Sequence, residues 1–598
     1  MNKPGEHSIN RPKLNLVLCW HMHQPYYRDG LDGEFVLPWV YLHAIKDYDD
    51  MAAHLERYPK MRAVVNFAPV LLEQLDDYAR QIDAFLTSGI AMSDPMLNLL
   101  AGVTPIPDDV ELRKEIIANC SRVHAPRMIA PYPAFKSLSE LYNCTHEDHD
   151  CSCDQVVNYL SPQFFLDLLT WYHLAWMSYS LKQREDIQML MEKGSKFNEQ
   201  ERRELLQIIG MTMGGIIPRY RALAERGQIE LSITPYGHPI VPLLNSFDNM
   251  SPAQPDDPLP VHASYPEGRE RSLWHLQRGL QLFEHYFAHQ PKGVWLSEGG
   301  VSDDAIELLS ELGVEWTATG EAVWHNSYCA SSSGEDEIMQ CDKHDTSDLS
   351  DPDGRKRLFM PYLLNDYKTR IFFRDDGLSD LIGFEYSDWH ADDAVANFAH
   401  NLENIGNSLG DSADEHVVSV ILDGENAWEY YPENGYHFLD KLYQALSESD
   451  SVAVKTFAEI AGDSGCQSGR VSTLVPGSWV YGSFSTWIGS EDKNYAWDLL
   501  VQAKQQWDEV MASNRLTDKQ REKVTQQLAI CEGSDWFWWF GNYNPSESVN
   551  DFDRLYRRQL TSLYQLMDVE PPELLQSPIS SGDGGGGGEH SGTMRRNS

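Results

Sequence analysis

Residues 417–425 read VVSVILDGE. The run is apolar and β-branched, and it stops abruptly on Asp423, Gly424 and Glu425. A short run without polar alternation suits a strand buried on both faces, as in a parallel sheet covered by helices. The pattern recurs in LNLVLCW (14–20), RAVVNFA (62–68), IELSITP (229–235), KGVWLSE (292–298), VEWTATGE (314–321) and RIFFRDD (370–376), each closed by polar or aromatic residues. Helical patterns lie between several of them. In DDAIELLSELG (303–313), Ser302 or Asp303 can cap and Gly313 can stop a helix that leads almost directly into the next strand. Seven strand candidates interleaved with helices predict an α/β fold, a seven-stranded barrel.

Two regions depart from this alternation. Residues 70–228 are too many for a crossover and contain the helical LSPQFFLDLLTWYHLAWMSY (160–179), which predicts a largely helical insertion over one barrel end. The barrel with its insertion is expected to occupy 1–475. Helical segments at 494–512, 517–533 and 551–567 then predict a C-terminal helical domain over 476–575 that contributes to the cleft. The glycine-rich end, 576–598, is expected to be a disordered tail.

Asp and Glu number 90 against 48 Lys and Arg, a formal charge of -42. Such a surface repels phosphate backbones and argues against nucleic acid as a partner, whereas a neutral substrate meets no such barrier. No apolar run is suited to crossing a membrane, and the first residues lack the basic region and apolar core of a signal peptide, so a cytoplasmic protein is expected. Nine irregularly spaced cysteines do not read as a secreted disulfide framework. The many tryptophans and tyrosines suit either a large core or a cleft that stacks flat ligands.

Glu298 ends the fourth strand candidate and Asp423 the seventh. Strand ends of a parallel barrel converge on one face, so these two carboxylates are candidates for one site. Paired carboxylates suit glycoside chemistry, in which one attacks the anomeric carbon and the other exchanges a proton with the leaving and incoming oxygens. The plainer alternatives are a helix cap or arginine partner for Glu298 and a turn at Asp423-Gly424. Trp295, Trp324, Trp428, Tyr430 and Tyr431 lie near these strand ends and would offer faces to sugar rings. Arg374 and Asp375 end another strand candidate, either orienting a sugar or forming a structural pair. Asp535 and Trp536 in CEGSDWFWWFGNY (531–543) would build sugar subsites if the helical domain closes on the barrel, or else an aromatic seam. Cys144, His146, His149, Cys151 and Cys153 carry zinc-ligand chemistry, but their spacing matches no standard zinc motif.

Five ordered blocks carry a resemblance: HMHQP (21–25), YGHPIVPLL (236–244), GVWLSE (293–298), LDGENAWEYYPENG (422–435) and SWVYGSFSTWIGSEDKNYAW (478–497). In these the chain resembles glycoside hydrolase family 57, particularly its α-amylase and amylopullulanase-like members. The resemblance implies a distorted (β/α)7 barrel with a helical domain beside it, and a retaining enzyme acting on α-glucan or malto-oligosaccharide substrates without a cofactor or metal. It makes Glu298 the nucleophile and Asp423 the general acid/base. It also places His23 and His238 at the sugar site and Trp487 in the late aromatic block. His21 is a further candidate for hydrogen bonds to the sugar. Hydrolysis of α-1,4 bonds is the first expectation, with glucanotransferase, branching or amylopullulanase activity as the alternative. Two other classes stay open at this point. A metal-dependent barrel hydrolase would use His21 or His23 with a carboxylate, although HMHQP lacks an adjacent Asp. A non-catalytic glucan-binding protein would use the aromatics alone.

Overall fold

The computed structural model describes residues 12–147, 153–332, 355–466 and 468–582. Its strands are β1 (Leu14–Met22), β2 (Ala63–Phe67), β3 (Ile229–Ile233), β4 (Trp316–Thr319), β5 (Tyr362–Leu364), β6 (Arg370–Phe373), β7 (Val417–Asp423), β8 (Val452–Val454) and β9 (Gly469–Val471). A parallel ladder runs β3-β2-β1-β7, and a second parallel pair joins β4 to β6. Lone parallel bridges close the ring: Val294 to Ile233, Gly293 to Trp316, and Arg374 to Ser419. The expected seven passes therefore meet in chain order around a distorted barrel.

The fourth pass differs from its expectation over 292–298. Only Gly293 and Val294 pair with neighbours. The chain then turns at Ser297–Gly299, where Glu298 adopts φ 58, ψ 23, outside the extended region a strand needs. Glycine is required at 293 because an added Cβ would lie 1.8 Å from the Trp316 ring.

Side-chain alternation along the strands positions the site. Val17 and Cys19 of β1, Val64 of β2, Trp316 and Ala318 of β4, Phe372 of β6 and Ile421 of β7 pack with Trp295 as one buried cluster. Two residues farther along come His21, Asn66, Arg374 and Asp423, on the same inward face at the C-terminal mouth. The register confirms their level, since His21 lies beside both Asn66 and Asp423.

Between β2 and β3 the chain is helical, with long helices at Pro69–Ser88, Pro162–Trp176 and Glu199–Glu225. Their starts follow the local sequence: Ser161 caps the second, and Asn198 forms a reciprocal cap with Glu201 on the third. After β9 come helices Glu491–Ala512, Asp518–Cys531, Asp535–Trp539 and Ser546–Leu566. They dock on the barrel through a fully buried ion cluster, in which Glu532 accepts from Arg271 at 2.6 Å and from His275 at 2.7 Å. Gly237 permits a second close approach: it has φ 70, and an added Cβ would sit 2.4 Å from the Ala529 carbonyl oxygen.

Residues 576–582, expected to belong to the tail, are among the described residues. Ile579 and Ser580 are buried, and their backbone N–H groups donate to Asp553. Residues 583–598 and the core of the Cys144–Cys153 cluster, including His149 and Cys151, lie outside the described residues, and no side-chain placement is described for Cys144, His146 or Cys153. Among the described residues no helix is long and apolar enough to cross a membrane.

Candidate active site

A cavity of about 350 Å³ opens at the barrel mouth, bordered by Glu298, Asp423, His21, His23, Arg374 and Asp535. It brings together both expected carboxylates and residues from barrel and C-terminal helices. Glu298 is held at two points by one residue: Trp479 Nε1 donates to its Oε2 at 3.0 Å, and Trp479 N donates to its carbonyl oxygen at 3.1 Å. These contacts support the left-handed backbone of Glu298, a conformation costly for a residue with a Cβ. Asp423 Oδ2 accepts from Asn426 Nδ2 at 2.8 Å.

Burial, reinforced by the charge of Asp423, pushes the Glu298 carboxyl up to about 8, against the pull of the Trp479 hydrogen bond and His23. Burial also raises Asp423, opposed by Asn426, His23 and Arg374. Low dielectric and mutual repulsion thus favour one proton between the two carboxyls at neutral pH, and in the free site the charge of Asp423 keeps that proton on Glu298.

Three histidines form a stack beside the pair. The His23 and His238 ring centroids are 3.7 Å apart at 14°, and His21 lies 5.5 and 5.4 Å from them. One set of tautomers satisfies the inner partners. Ser534 Oγ donates to His238 Nδ1 at 2.8 Å, His238 Nε2 donates to His21 Nε2 at 3.3 Å, and His21 Nδ1 donates to Asn66 Oδ1 at 2.7 Å. Burial holds His21 down at about 3 and His238 well below the usual imidazole value, in both cases helped by the charge on His23. Burial opposes charge on His23 too, but Asp535 at 2.7 Å, with Glu298 and Asp423, raises it overall. The stack therefore sets one ring whose charged form its carboxylate neighbours favour against two that burial keeps neutral.

The three rings are close enough for their nitrogens to be tested as metal ligands. Their chemistry does not fit. Near-parallel rings send in-plane lone pairs side by side rather than toward one point, and both nitrogens of His21 and of His238 are already hydrogen-bonded. His23 Nδ1 alone is without a partner in this group.

The other expected residues divide. Arg374 reaches the cavity, but its guanidinium is committed to Asp376 and Asp380 and lies over the Trp479 ring, so it braces the residue that holds Glu298. Asp375 is buried and caps the helix at Asp376–Asp380. His238, Trp295, Trp428, Trp487 and Trp536 are buried and do not border the cavity. Trp295 meets Trp479 edge-on, Trp428 donates to the Gly424 carbonyl, Trp487 packs on Trp538, and Trp536 stacks on Tyr556. Trp324 and Tyr431 are also buried, whereas Tyr430 is 45% exposed.

The aromatic wall comes instead from Trp39, Trp176, Trp479, Trp538 and Trp539. Trp479 lies in the quoted block 478–497, and Trp538 and Trp539 adjoin Asp535, so proximity to a motif was the available signal. Trp39 and Trp176 carry no such signal, because the helical insertion brings Trp176 to the mouth only through tertiary packing.

Residues 17–468 match the profile described as Glycosyl hydrolase family 57. No curated protein sequence matches the chain. Among solved structures, it is similar to a GH57 branching enzyme from Thermococcus kodakaraensis, at 15% identity over 92% of this chain and 90% of that one, TM-score 0.53. It is similar to a GH57-type branching enzyme from Pyrococcus horikoshii, at 14% identity, 96% and 99% coverage and TM-score 0.52. The α-amylase AmyC from Thermotoga maritima aligns at 13% identity, 93% coverage of each chain and TM-score 0.51. At these identities the likeness is one of fold, sustained along nearly the whole of each chain.

Proposed function

The chain belongs to glycosyl hydrolase family 57, and on that premise we propose that it cleaves α-1,4 bonds of α-glucans with retention and passes the glycosyl group to a sugar hydroxyl, as a branching enzyme does. The observation that carries this reading is the meeting of Glu298 and Asp423 in one cavity with the His23–Asp535 pair. In this scheme the proton held on Glu298 in the free site passes to Asp423 as substrate binds, and Glu298 then attacks the anomeric carbon while Asp423 protonates the departing oxygen. Asp423 then takes the proton of the incoming hydroxyl as that oxygen displaces Glu298.

Hydrolysis and transfer share the covalent intermediate and differ in what intercepts it. A cavity walled by tryptophans binds a sugar face better than it holds water, which supports a sugar acceptor. The whole-length likeness to two branching enzymes supports the same choice, ahead of the hydrolysis expected first. The barrel with its insertion (1–475) and the helical unit (476–575) build the cleft jointly in this proposal, the latter supplying Asp535. A cytoplasmic setting suits the free cysteines Cys19, Cys120, Cys329, Cys466 and Cys531.

Incubation with amylose, maltoheptaose and pullulan tests the reading. New α-1,6 branch points with few new reducing ends are expected. Reducing ends without longer or branched products would make the enzyme a hydrolase, maltotriose from pullulan would show attack at α-1,6 links, and binding without turnover would refute catalysis.

A further inference from the structure

Glu425 stands two residues beyond Asp423, and no step above uses it. It is only 1% exposed, yet it borders the cavity. Three donors converge on one of its oxygens. Oε1 accepts from the His23 backbone N–H at 3.1 Å, from Gln24 Nε2 at 3.2 Å and from the Tyr48 hydroxyl at 3.3 Å. The other oxygen, Oε2, is buried and has no hydrogen-bond partner.

This one-sided pattern has a chemical meaning. An ionised carboxylate carries equal charge on both oxygens and attracts donors to both, whereas a carboxylic acid has one accepting carbonyl and one donating hydroxyl. Burial, with the anions Asp423 and Asp47 nearby, holds Glu425 well above the usual carboxylate range against the pull of His23 N–H and Gln24. Lys46 is engaged with Asp47.

We infer that Glu425 works as a neutral carboxylic acid, its Oε1 carbonyl pinning the HMHQP loop and its Oε2–H donating to a hydroxyl of the glucosyl unit bound beside Asp423. The inference rests on the α-glucan reading above and adds a binding group to it. A donor left waiting in a water-poor wall discriminates for ligands that present an oxygen at that point, and against rings that lack one.

The test compares wild type, Glu425→Gln, Glu425→Leu and Asp423→Asn on maltoheptaose and amylose. Glutamine keeps an accepting carbonyl and a donor but never ionises. Its kcat/KM is expected within about tenfold of wild type with the loss mainly in KM, whereas leucine costs about a hundredfold. A glutamine variant as inactive as Asp423→Asn would overturn the inference, because only an essential negative charge explains that result. Equal activity of the leucine and glutamine variants would overturn the donor role. Infrared difference spectra of wild type minus Glu425→Gln near neutral pH supply a readout independent of turnover. A protonated-carboxyl C=O band is expected in wild type, and a carboxylate pair of bands in its place would refute the neutral acid. If wild type turns over no α-glucan the proposed function fails, while the infrared band still decides the state of Glu425.

Discussion

Replacing Glu298 with glutamine should stabilise the protein while abolishing its activity, and the stabilisation should grow with pH. The folded carboxyl is raised from 4.5 to about 8 by burial and by Asp423. A group whose folded pKa lies above its unfolded value contributes stability below the unfolded value and loses it as pH rises through the folded one. The window is therefore between about pH 4.5 and pH 8. The full difference corresponds to about 5 kcal/mol at the alkaline plateau. Glu298 opens toward the cavity and water screens part of its charge, so about 2 kcal/mol is the working expectation. Guanidinium unfolding, followed by tryptophan fluorescence, should give coincident midpoints for wild type and Glu298→Gln near about pH 4, with the variant ahead near about pH 8. Turnover should fall at least about a thousandfold, since no covalent intermediate can form. A variant no more stable than wild type at the higher pH, or a gap that ignores pH, would refute the account of the buried pair.

Three further outcomes are expected. Trp479→Phe removes the donor that lowers the Glu298 pKa, so the acidic limb of the kcat/KM profile should move upward by about one pH unit, measured on maltoheptaose. Asp535→Asn removes the first of the charges that raise His23; histidine NMR titration should show the His23 pKa falling, and KM should rise about tenfold, with no change in either quantity counting against the charged form of His23. Exhaustive chelation should leave turnover intact, because the histidine lone pairs do not converge; loss of activity with recovery on added zinc would falsify that reading.

How far the sequence foretold this molecule varied with the physics involved. Runs such as VVSVILD declare strands buried on both faces, and the inward alternation carries His21 and Asp423 to one level with no further information. The two carboxylates were readable because each sits where such a run stops. The tryptophans were not. Trp295 and Trp479 meet edge-on at 5.1 Å, yet only Trp479 reaches the cavity, and that choice depends on the left-handed turn at Glu298 and on packing from residues far away in the chain. Glu425 was hidden for another reason. DGE after a strand reads locally as turn chemistry, whereas its significance lies in donors contributed by His23, Gln24 and Tyr48.

The ring of strands is not equally bonded all round. Continuous ladders join β3 to β2, β1 and β7, but at 293–294 and at Arg374–Ser419 the ring is joined by single bridges. Glu298 hangs just beyond the first of these joints, and Asp423 ends the strand that makes the second. The path around the ring from Glu298 to Asp423 through β4 and β6 therefore crosses both single-bridge joints, while the β1 ladder fixes Asp423 beside His21. On the proposed chemistry, closing the gap between either carboxyl and an anomeric carbon would ask for a shift only at these seams, with every multi-residue ladder left whole.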